Sequence, residues 1–419
     1  MNYPKSGRLW GSAGLLILVT CVWAYCLSAP AFWRAIGIGG NEVPFLDLYG
    51  SLAAGELAHN GGNPFILNTL DYYNRPHVYT TWWLIIGDWG LTRADSKWLG
   101  LLLIGLTLAT TVALNRPSQP HEFILTAIFL CSPAILFAIN RGNNDLVVFV
   151  IMSCALGLFR SNKSVIRLLG FALLAICAVL KYYPFAAIIL ILSAHTRRES
   201  IMALALFTCI IFFSWPSLQP GLISALKYKP SPEGLYAFGA PFLLKNLGDF
   251  PPNAWWIIGA ITGACAFILA KLRQDTARKP SISSSTENEF ICGSVFIVGC
   301  FFLGASYLYK LIFSIWLLPW LWGEKQIQCD EYWRRINLGI VLIVLWFEGC
   351  MCLMANRVIG FVSVNMAKTV YEITVIWGQV FSWLLILALL TEVIIYTYRR
   401  LQFLGSKSER FSDLSAVKS

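Results

Sequence analysis

The 419-residue chain is 57% hydrophobic, and charged residues make up only 13% of it. That charged share is about half of what soluble domains carry, and a soluble fold of this composition would expose large apolar patches and aggregate. The composition therefore places the chain in a lipid bilayer. The net charge of +10 does not indicate nucleic-acid binding, because the basic residues stand in short segments between apolar runs.

Apolar runs long enough, or nearly long enough, to cross a bilayer recur along the whole chain. Because a crossing takes about 20 residues, we predict an all-α polytopic membrane protein with about 12 transmembrane helices, in a range of about 10–13. The predicted helices cover 10–29, 98–114, 122–139, 146–159, 166–180, 184–194, 200–215, 255–271, 290–306, 310–322, 336–354 and 373–396.

Several of these runs are too short to cross, since a helix of about 14 residues rises only about 21 Å. Such pieces should end inside protein or at a water-filled cavity. The short runs flank polar breaks at 140–145, 181–184 and 307–310. This clustering predicts that one cavity collects the three breaks.

The basic residues are unevenly divided between the two sides that these spans define. With the N-terminus inside, 20 of the 32 basic residues lie in cytoplasmic segments, whereas the acidic residues divide evenly. The positive-inside rule therefore predicts that both termini are cytoplasmic. We expect one integral membrane domain over 1–419, with outer interfacial helices. Its parts are an outer catalytic loop at 30–97, an outer loop at 216–254, a cytoplasmic linker at 274–289 and a cytoplasmic tail at 400–419.

Asp47 lies between apolar neighbours just after the first predicted span. Desolvation of a carboxylate there predicts a raised pKa, which suits a general base. The alternative is that Asp47 is the N-cap of the following helix, since Asp is a preferred N-cap residue, and the two roles are compatible. Glu42, Glu56 and Asp71 belong to the same segment but stand in more polar surroundings, so we interpret them as solvated charges.

Three later breaks place polar groups between apolar runs on the same predicted side. The break at 140–145 reads Asn-Arg-Gly-Asn-Asn-Asp, and an ordinary tight turn is the alternative to a functional site. Lys181 begins a Lys-Tyr-Tyr-Pro motif and is either a cation at the end of a broken helix or a lysine that extends to the bilayer edge. Lys310 follows the similar Tyr-Leu-Tyr. Two such lysines could hold a phosphate, and Arg141 could join them.

The motifs of most other enzyme classes are missing from the sequence. It contains no GxxxxGK[ST], HExxH or GxSxG motif, which would indicate a P-loop, a zinc protease or a serine hydrolase. The four histidines are scattered, and no dense carboxylate cluster occurs. We therefore expect no metal and no cofactor.

Taken in chain order, these motifs resemble a known family. The run Asp47-Leu48-Tyr49, followed by Ala53-Ala54 and by Gly-Gly-Asn-Pro-Phe at 61–65, resembles the first outer loop of GT-C type glycosyltransferases that use polyprenyl-phosphate sugars. The run 141–145 is similar to the Arg-Gly-Gln-Asn motif of glycosyltransferase family 87, also labelled domain of unknown function 2029, with Asn143 in place of Gln.

The resemblance extends over about residues 40–195. The run 181–184 is similar to the Lys-x-x-Pro motif of the family, and 309–313 shares a further pattern with it. Asn74-Arg75-Pro76 departs from the Tyr-Pro-Pro that is usual in the family. This departure concerns the segment that would contact the acceptor.

The resemblance implies transfer of a mannose-like hexose, with inversion and without a metal, from a polyprenyl-phosphate sugar to a glycan or glycolipid acceptor. The reaction would take place on the outer face of a bacterial plasma (inner) membrane. Because phosphate is already a good leaving group, no protonating acid is needed, unlike in glycosidases. On this hypothesis Asp47 is the catalytic base, and the donor phosphate binds Lys181, Lys310 and Arg141. The remaining substrate contacts would come from Asn143, Asn144, Asp145, Tyr182 and Tyr309.

Two other functions fit the same composition. A transporter or flippase of lipid-linked sugars would line a path with polar breaks, although it should also have ionisable groups near helix centres and an internal repeat. Here most ionisable groups stand at predicted helix ends, with Glu348 the main exception. An outer-face glycan polymerase or ligase would share both topology and donor.

The predicted topology can be tested by cysteine labelling from the outer side of the membrane. A cysteine placed at position 60 should be labelled and one at position 282 should not, because the uneven basic residues place these positions on opposite sides. The reverse pattern would contradict the topology and, with it, an active site on the outer face.

Overall fold

The computed structural model describes residues 5–38, 43–228, 234–248, 251, 254–274, 285–303, 306–323, 331–358 and 364–416. These residues form sixteen α-helices: α1 Lys5–Ser28, α2 Pro30–Ala35, α3 Leu46–His59, α4 Ile85–Asp88, α5 Ser96–Asn115, α6 Pro120–Leu130, α7 Pro133–Arg141, α8 Asn144–Phe159, α9 Ser164–Leu180, α10 Arg197–Tyr228, α11 Phe242–Leu247, α12 Trp255–Gln274, α13 Ser285–Leu303, α14 Leu318–Leu321, α15 Glu331–Val358 and α16 Val364–Ala416. Four stretches of 3-10 helix cover Thr81–Leu84, Arg93–Asp95, Tyr183–Ser193 and Leu308–Leu317. Strands β1 (Ala237–Phe238) and β2 (Ser306–Tyr307) pair antiparallel.

Many of these helices are long and apolar enough to cross a membrane. Within the described part of the chain, seven pass this test, or eight if α6 and α7, which meet at 56°, form one broken span. Four shorter apolar helices cover Asn144–Phe159, Ser164–Leu180, Tyr183–Ser193 and Leu308–Leu321. The predicted fold class, an all-α polytopic membrane protein, is confirmed, whereas the number of about 12 spans stays a prediction.

Several predicted boundaries differ from the structure. Helix α10 does not end at residue 215 but continues to Tyr228, so the first part of the predicted loop at 216–254 is helical. Helix α16 likewise continues to Ala416, through most of the predicted tail. Of the predicted linker at 274–289, residues 285–289 begin α13 and residues 275–284 lie outside the described residues.

The continuation of α10 depends on tertiary contacts rather than on local preference. Pro216 and Pro220 both lie inside the helix, and each removes a helical hydrogen-bond donor. Beyond them, the Ser224 hydroxyl donates to the carbonyl of His77 at 2.6 Å. This contact with the segment before Thr81 fixes the last turns of α10, which hydropathy alone did not predict.

Helix α3 packs deeply into the protein. Its residues Leu52, Ala53 and Ala54 are fully buried, so this helix of the segment 30–97, for which interfacial helices are predicted, packs against other helices. Gly55 and Gly87 allow α3 and α4 to approach closely, because a Cβ atom on Gly87 would lie 2.1 Å from the Gly55 carbonyl oxygen. Asp47, in the first turn of α3, is thereby held at one end of the bundle.

The three polar breaks in the chain come together at that same end. Helix α7 ends at Arg141, Gly142 adopts a left-handed conformation with φ of 54°, and Asn143 caps α8. A glycine is needed at this break, because a Cβ atom on Gly142 would also lie 2.8 Å from the Phe45 Cβ. Helix α9 ends where Lys181 is extended, and β2 leads into the 3-10 helix that contains Lys310.

Candidate active site

A cavity of about 450 Å³ opens beside the first turn of α3. Its lining combines two carboxylates, two guanidinium groups and several aromatic rings. The lining residues are Asp47, Gly50, Ser51, Asn68, Asp71, Tyr73, Arg75, Pro76, His77, Val78, Tyr79, Arg141, Tyr228, Tyr307 and Tyr309. Most of them belong to the segment 30–97, and the others come from the end of α7, the end of α10 and the strand–helix break near Tyr307.

Asp47 does not cap its helix, so the N-cap alternative is wrong. The N-cap position is Phe45, in a left-handed conformation with φ of 56° and with no side-chain capping bond. Asp47 lies one residue inside α3, and its carboxylate faces side chains from other elements. The Phe45 N–H donates to the Asn140 carbonyl at 3.2 Å, so the entry into α3 is fixed by the end of α7 rather than by a local cap.

Three donors hold the Asp47 carboxylate. Arg141 Nη2 lies 2.8 Å and Arg75 Nη1 lies 3.4 Å from its Oδ1, while Asn143 Nδ2 donates to Oδ2 at 2.6 Å. Burial raises the pKa of Asp47, but the two guanidinium groups and these hydrogen bonds lower it by more, so the net pKa is lowered. The predicted raised pKa is therefore wrong, because the neighbouring cations outweigh desolvation.

Asp71 is buried and paired, so its interpretation as a solvated charge is also wrong. Its Oδ1 accepts from Arg75 Nη2 at 2.9 Å. Its Oδ2 accepts from the Tyr73 N–H, the Arg75 N–H and Arg75 Nε, each at 3.0 Å. All four of these hydrogen bonds come from the loop that contains Asp71, and they hold Arg75 against Asp47.

The other two residues interpreted as solvated charges are Glu56 and Glu42. Glu56 is half-buried and accepts from the Arg93 backbone N–H at 3.2 Å, whereas Glu42 lies outside the described residues.

A hydrogen-bonded network connects Asp47 with the two predicted phosphate-binding lysines. The Asn143 Oδ1 accepts from Lys181 Nζ at 3.3 Å, which turns the Nδ2 of the same amide towards Asp47. Lys181 Nζ lies 2.5 Å from Asp145 Oδ1, and Lys310 Nζ lies 2.7 Å from Asp145 Oδ2. Both lysines are buried and neither lines the cavity.

Of the five predicted substrate-contacting residues, one lines the cavity and the other four are absent from its lining. Of the five, only Tyr309 lines the cavity. Asn144 donates to Ser51 Oγ at 2.9 Å, which ties α8 to α3. It is Tyr183 and not Tyr182 that reaches Asp145, with its hydroxyl donating at 2.7 Å. Asn143 and Asp145 are completely buried and form the network described above.

Sequence reasoning missed Arg75, Asp71 and the ring of Tyr79 as parts of this site. One signal was available, since Asn74-Arg75-Pro76 is the place where the chain departs from the family pattern. Tyr79 separates the cavity from the lysines, with Lys181 Nζ 4.9 Å from the centre of its ring. Nothing local in the sequence indicates this separation.

No group of three or more His, Cys, Asp or Glu side chains within the described ranges is arranged to hold a metal ion. The cavity contributes two carboxylates, and both are engaged by arginines. Independence from metals and cofactors stays a prediction.

Comparison with known proteins gives a structural likeness alone. No protein-family profile matches the sequence, and no curated protein matches it. The fold is similar to the crystal structure of ArnT from Cupriavidus metallidurans bound to undecaprenyl phosphate, with a TM-score of 0.36 and 12% identity over 91% of this chain and 78% of that chain. The apo crystal structure of ArnT gives a TM-score of 0.36 and 12% identity over 90% and 77%. A likeness of this size does not assign an activity.

The buried cluster around Asp145 predicts a large effect on stability. Asp145→Asn would leave two buried ammonium groups without their shared carboxylate, which should lower the free energy of unfolding by about 3–5 kcal/mol. Unfolding of the purified protein in detergent measures this effect. The matched control is Asp88→Asn, because Asp88 is exposed and contacts only the exposed His59 at 3.2 Å, so a change within about 0.5 kcal/mol is expected. Equal stabilities of the two variants would contradict the assignment.

Proposed function

We propose that this protein is a membrane glycosyltransferase of the GT-C type, related to glycosyltransferase family 87. It transfers a hexose from a polyprenyl-phosphate sugar to a hydroxyl group of a glycan or glycolipid, on the outer face of a bacterial plasma membrane. The observation that carries this proposal is the position of Asp47, whose partly exposed carboxylate lines a cavity between two guanidinium groups. A base beside cations is what transfer from a sugar phosphate requires.

Asp47 is better placed than Asp71 to accept a proton from the acceptor. The Asp47 Oδ2 accepts one hydrogen bond, from Asn143, and so keeps acceptor capacity for a substrate hydroxyl. The Asp71 carboxylate is 1% exposed, compared with 12% for Asp47, and it accepts four hydrogen bonds from its own loop. Asp47 is therefore assigned as the base and Asp71 as a residue that positions Arg75.

The transfer proceeds as a single displacement with inversion. The acceptor oxygen attacks the anomeric carbon, the bond from this carbon to the phosphate oxygen breaks, and Asp47 takes the hydroxyl proton. The departing polyprenyl phosphate gains one negative charge. Arg75 and Arg141 face the cavity and can bind this phosphate through paired N–H groups, as guanidinium groups commonly do. Stabilisation of the leaving phosphate then comes from side chains that are already in place.

The charge of the whole cluster suits a phosphodiester donor. Its ionisable members are Arg75, Arg141, Lys181, Lys310, Asp47, Asp71 and Asp145. Four cations and three carboxylates leave one net positive charge, which balances the single negative charge of a lipid-linked sugar phosphate. Direct contact of Lys181 and Lys310 with the phosphate stays a prediction. In the structure, Lys181 fixes the orientation of the Asn143 amide, which in turn holds the Asp47 carboxylate.

The distribution of buried charge favours an enzyme over a transporter. A transport path would place ionisable groups along the bundle, whereas the cluster around Asp47 and Asp145 lies where α3 and α8 begin. Glu348, near the middle of α15, accepts a hydrogen bond from the Tyr236 backbone N–H and lies outside the cavity lining.

A direct assay tests the proposed reaction. Purified protein in detergent is incubated with a radiolabelled polyprenyl-phosphate hexose and a pool of membrane glycolipids. Release of the label from the polyprenyl lipid into a glycolipid product is expected. If all the label stays on the polyprenyl lipid, the glycosyltransferase proposal fails and a transporter becomes the better interpretation.

Asp47→Asn should reduce the rate of transfer by about 10²–10⁴-fold, because it removes the base and keeps the size of the side chain. The rate is measured in the same radiolabel assay, with folding checked by gel filtration. Asp88→Asn, in the same outer segment, is the matched control and should leave the rate unchanged. A folded Asp47→Asn protein with near-normal transfer would remove Asp47 from the mechanism.

The lowered pKa of Asp47 predicts a characteristic pH dependence. Since the base is ionised above its pKa, and this pKa lies below its ordinary value of 3.8, kcat/KM should not fall with acid until the pH drops below that value. Arg75→Gln removes one of the cations that lower the pKa. The acid limb of kcat/KM should then move upward by about one to three pH units.

The control for this experiment is Arg93→Gln, because Arg93 belongs to the same segment, is similarly exposed and contacts Glu56 at 3.9 Å instead. Its pH profile should match that of the unchanged protein. An Arg75→Gln profile with an unmoved acid limb would show that Arg75 does not act on the base.

A further inference from the structure

A second cavity, of about 580 Å³, lies at the opposite end of α5 and α8 from Asp47. Helix α8 begins beside the Asp145 cluster, has 16 residues and ends at Phe159, a rise of about 24 Å. Helix α5 has 20 residues and ends at Asn115, a rise of about 30 Å, which is the thickness of a bilayer core. The two cavities therefore face opposite sides of the membrane, and the predicted topology makes this one cytoplasmic.

The wall of this cavity combines arginines and amides with a small aromatic part formed by Phe159 and Phe171. Two of its arginines are neutralised by the protein. Arg167 binds Glu199 through Nε and Nη2, each at 2.6 Å, and Arg160 Nη2 lies 2.5 Å from Glu289. These two ion pairs hold the walls of the cavity in place, and each pair has no net charge.

Arg116 is the arginine of this cavity that forms no ion pair within the described part of the chain. Its Nε donates to the Ala113 carbonyl at 3.2 Å, and among the described residues no carboxylate lies within ion-pairing distance of it. Arg160 also keeps Nη1 free of protein partners in the described part of the chain. One uncompensated cation, with a second guanidinium N–H available, suits a singly charged anion such as a phosphodiester.

Asn115 identifies the second chemical group of the ligand. This cavity-lining residue is 6% exposed, and neither its Nδ2 nor its Oδ1 has a hydrogen-bond partner among the described residues. A buried amide without partners is unfavourable. Because Nδ2 donates and Oδ1 accepts, a hydroxyl group next to the phosphate satisfies both atoms, whereas a quaternary ammonium group satisfies neither.

We propose that this cavity is a binding site for a phosphodiester headgroup that carries a hydroxyl, of which phosphoglycerol is the simplest. The ligand is either the headgroup of an anionic phospholipid or a soluble glycerol phosphodiester, since the chemistry recognised by Arg116 and Asn115 is the same. This site is independent of the glycosyl transfer proposed above, and its ligand does not enter that reaction.

Two binding measurements on the full-length protein, purified in detergent and stripped of lipid, distinguish the sources. Native mass spectrometry measures the bound fraction of phosphatidylglycerol, with phosphatidylcholine as the headgroup control. Calorimetric titration with glycerophosphoglycerol, the phosphodiester that phosphatidylglycerol leaves when its acyl chains are removed, tests a soluble ligand. We expect phosphatidylglycerol to bind and phosphatidylcholine not to bind. Binding of the soluble ester with equal affinity would support the same site with a soluble ligand.

Variants assign the binding to this cavity. Arg116→Gln and Asn115→Leu should each weaken the binding of whichever ligand is found by about tenfold. Lys163→Gln is the matched control, because Lys163 is exposed near the same end but does not line the cavity. Arg116 is exposed, so its variant stays informative if Asn115→Leu fails to fold. The proposal is overturned if neither ligand binds, if phosphatidylcholine binds equally well, or if Arg116→Gln binds as the unchanged protein does.

Discussion

The Asp145 carboxylate, shared between Lys181 and Lys310, is the interaction on which the site around Asp47 depends. A charge so deeply buried is stable only when it is fully paired, and here the two lysines come from separate breaks, after α9 and after β2. The pairing therefore fixes the end of α9 and the end of β2 relative to α8. Lys181 also donates to the Asn143 side-chain carbonyl and so orients that amide. Asn143 in turn donates to Asp47, so this one side chain connects the Asp145 cluster with the Asp47 carboxylate.

Arg141 and Arg75 have opposite effects on Asp47 as a base: they keep its carboxylate ionised, and they lower its basicity. They keep its carboxylate ionised, yet a carboxylate that two cations hold is a weak base. A phosphate in the cavity would draw the same guanidinium groups towards itself and so make Asp47 more basic when a donor is present. Asp71, which holds Arg75 by a bidentate contact, limits how far that arginine can follow.

The two cavities show how helix termini create polar sites in an otherwise apolar protein. Each lies where several helices end and where backbone groups lack helical partners. At the outer end, Asn143 caps α8 and also donates to Asp47. At the other end, the Arg160 guanidinium satisfies the Leu114 carbonyl in the last turn of α5. Arg160 also lines the second cavity, whereas Asn143 is buried behind the first cavity and contacts it only through Asp47.

The sequence by itself determined the fold class, because the apolar runs that become helices are local in the chain. It also identified Asp47, Arg141 and Asn143, because polar groups between apolar runs are visible without a structure. Only the tertiary structure decided which of these residues contact one another. Arg141 and Asn143 are 94 and 96 positions from Asp47, and no local pattern encodes such a contact. The same reason accounts for the missed contact of Arg75 with Asp47, which is 28 positions away, for the direction of the Asp47 pKa shift and for the passage of α10 through two prolines: each depends on a distant residue that supplies a charge or a hydrogen bond.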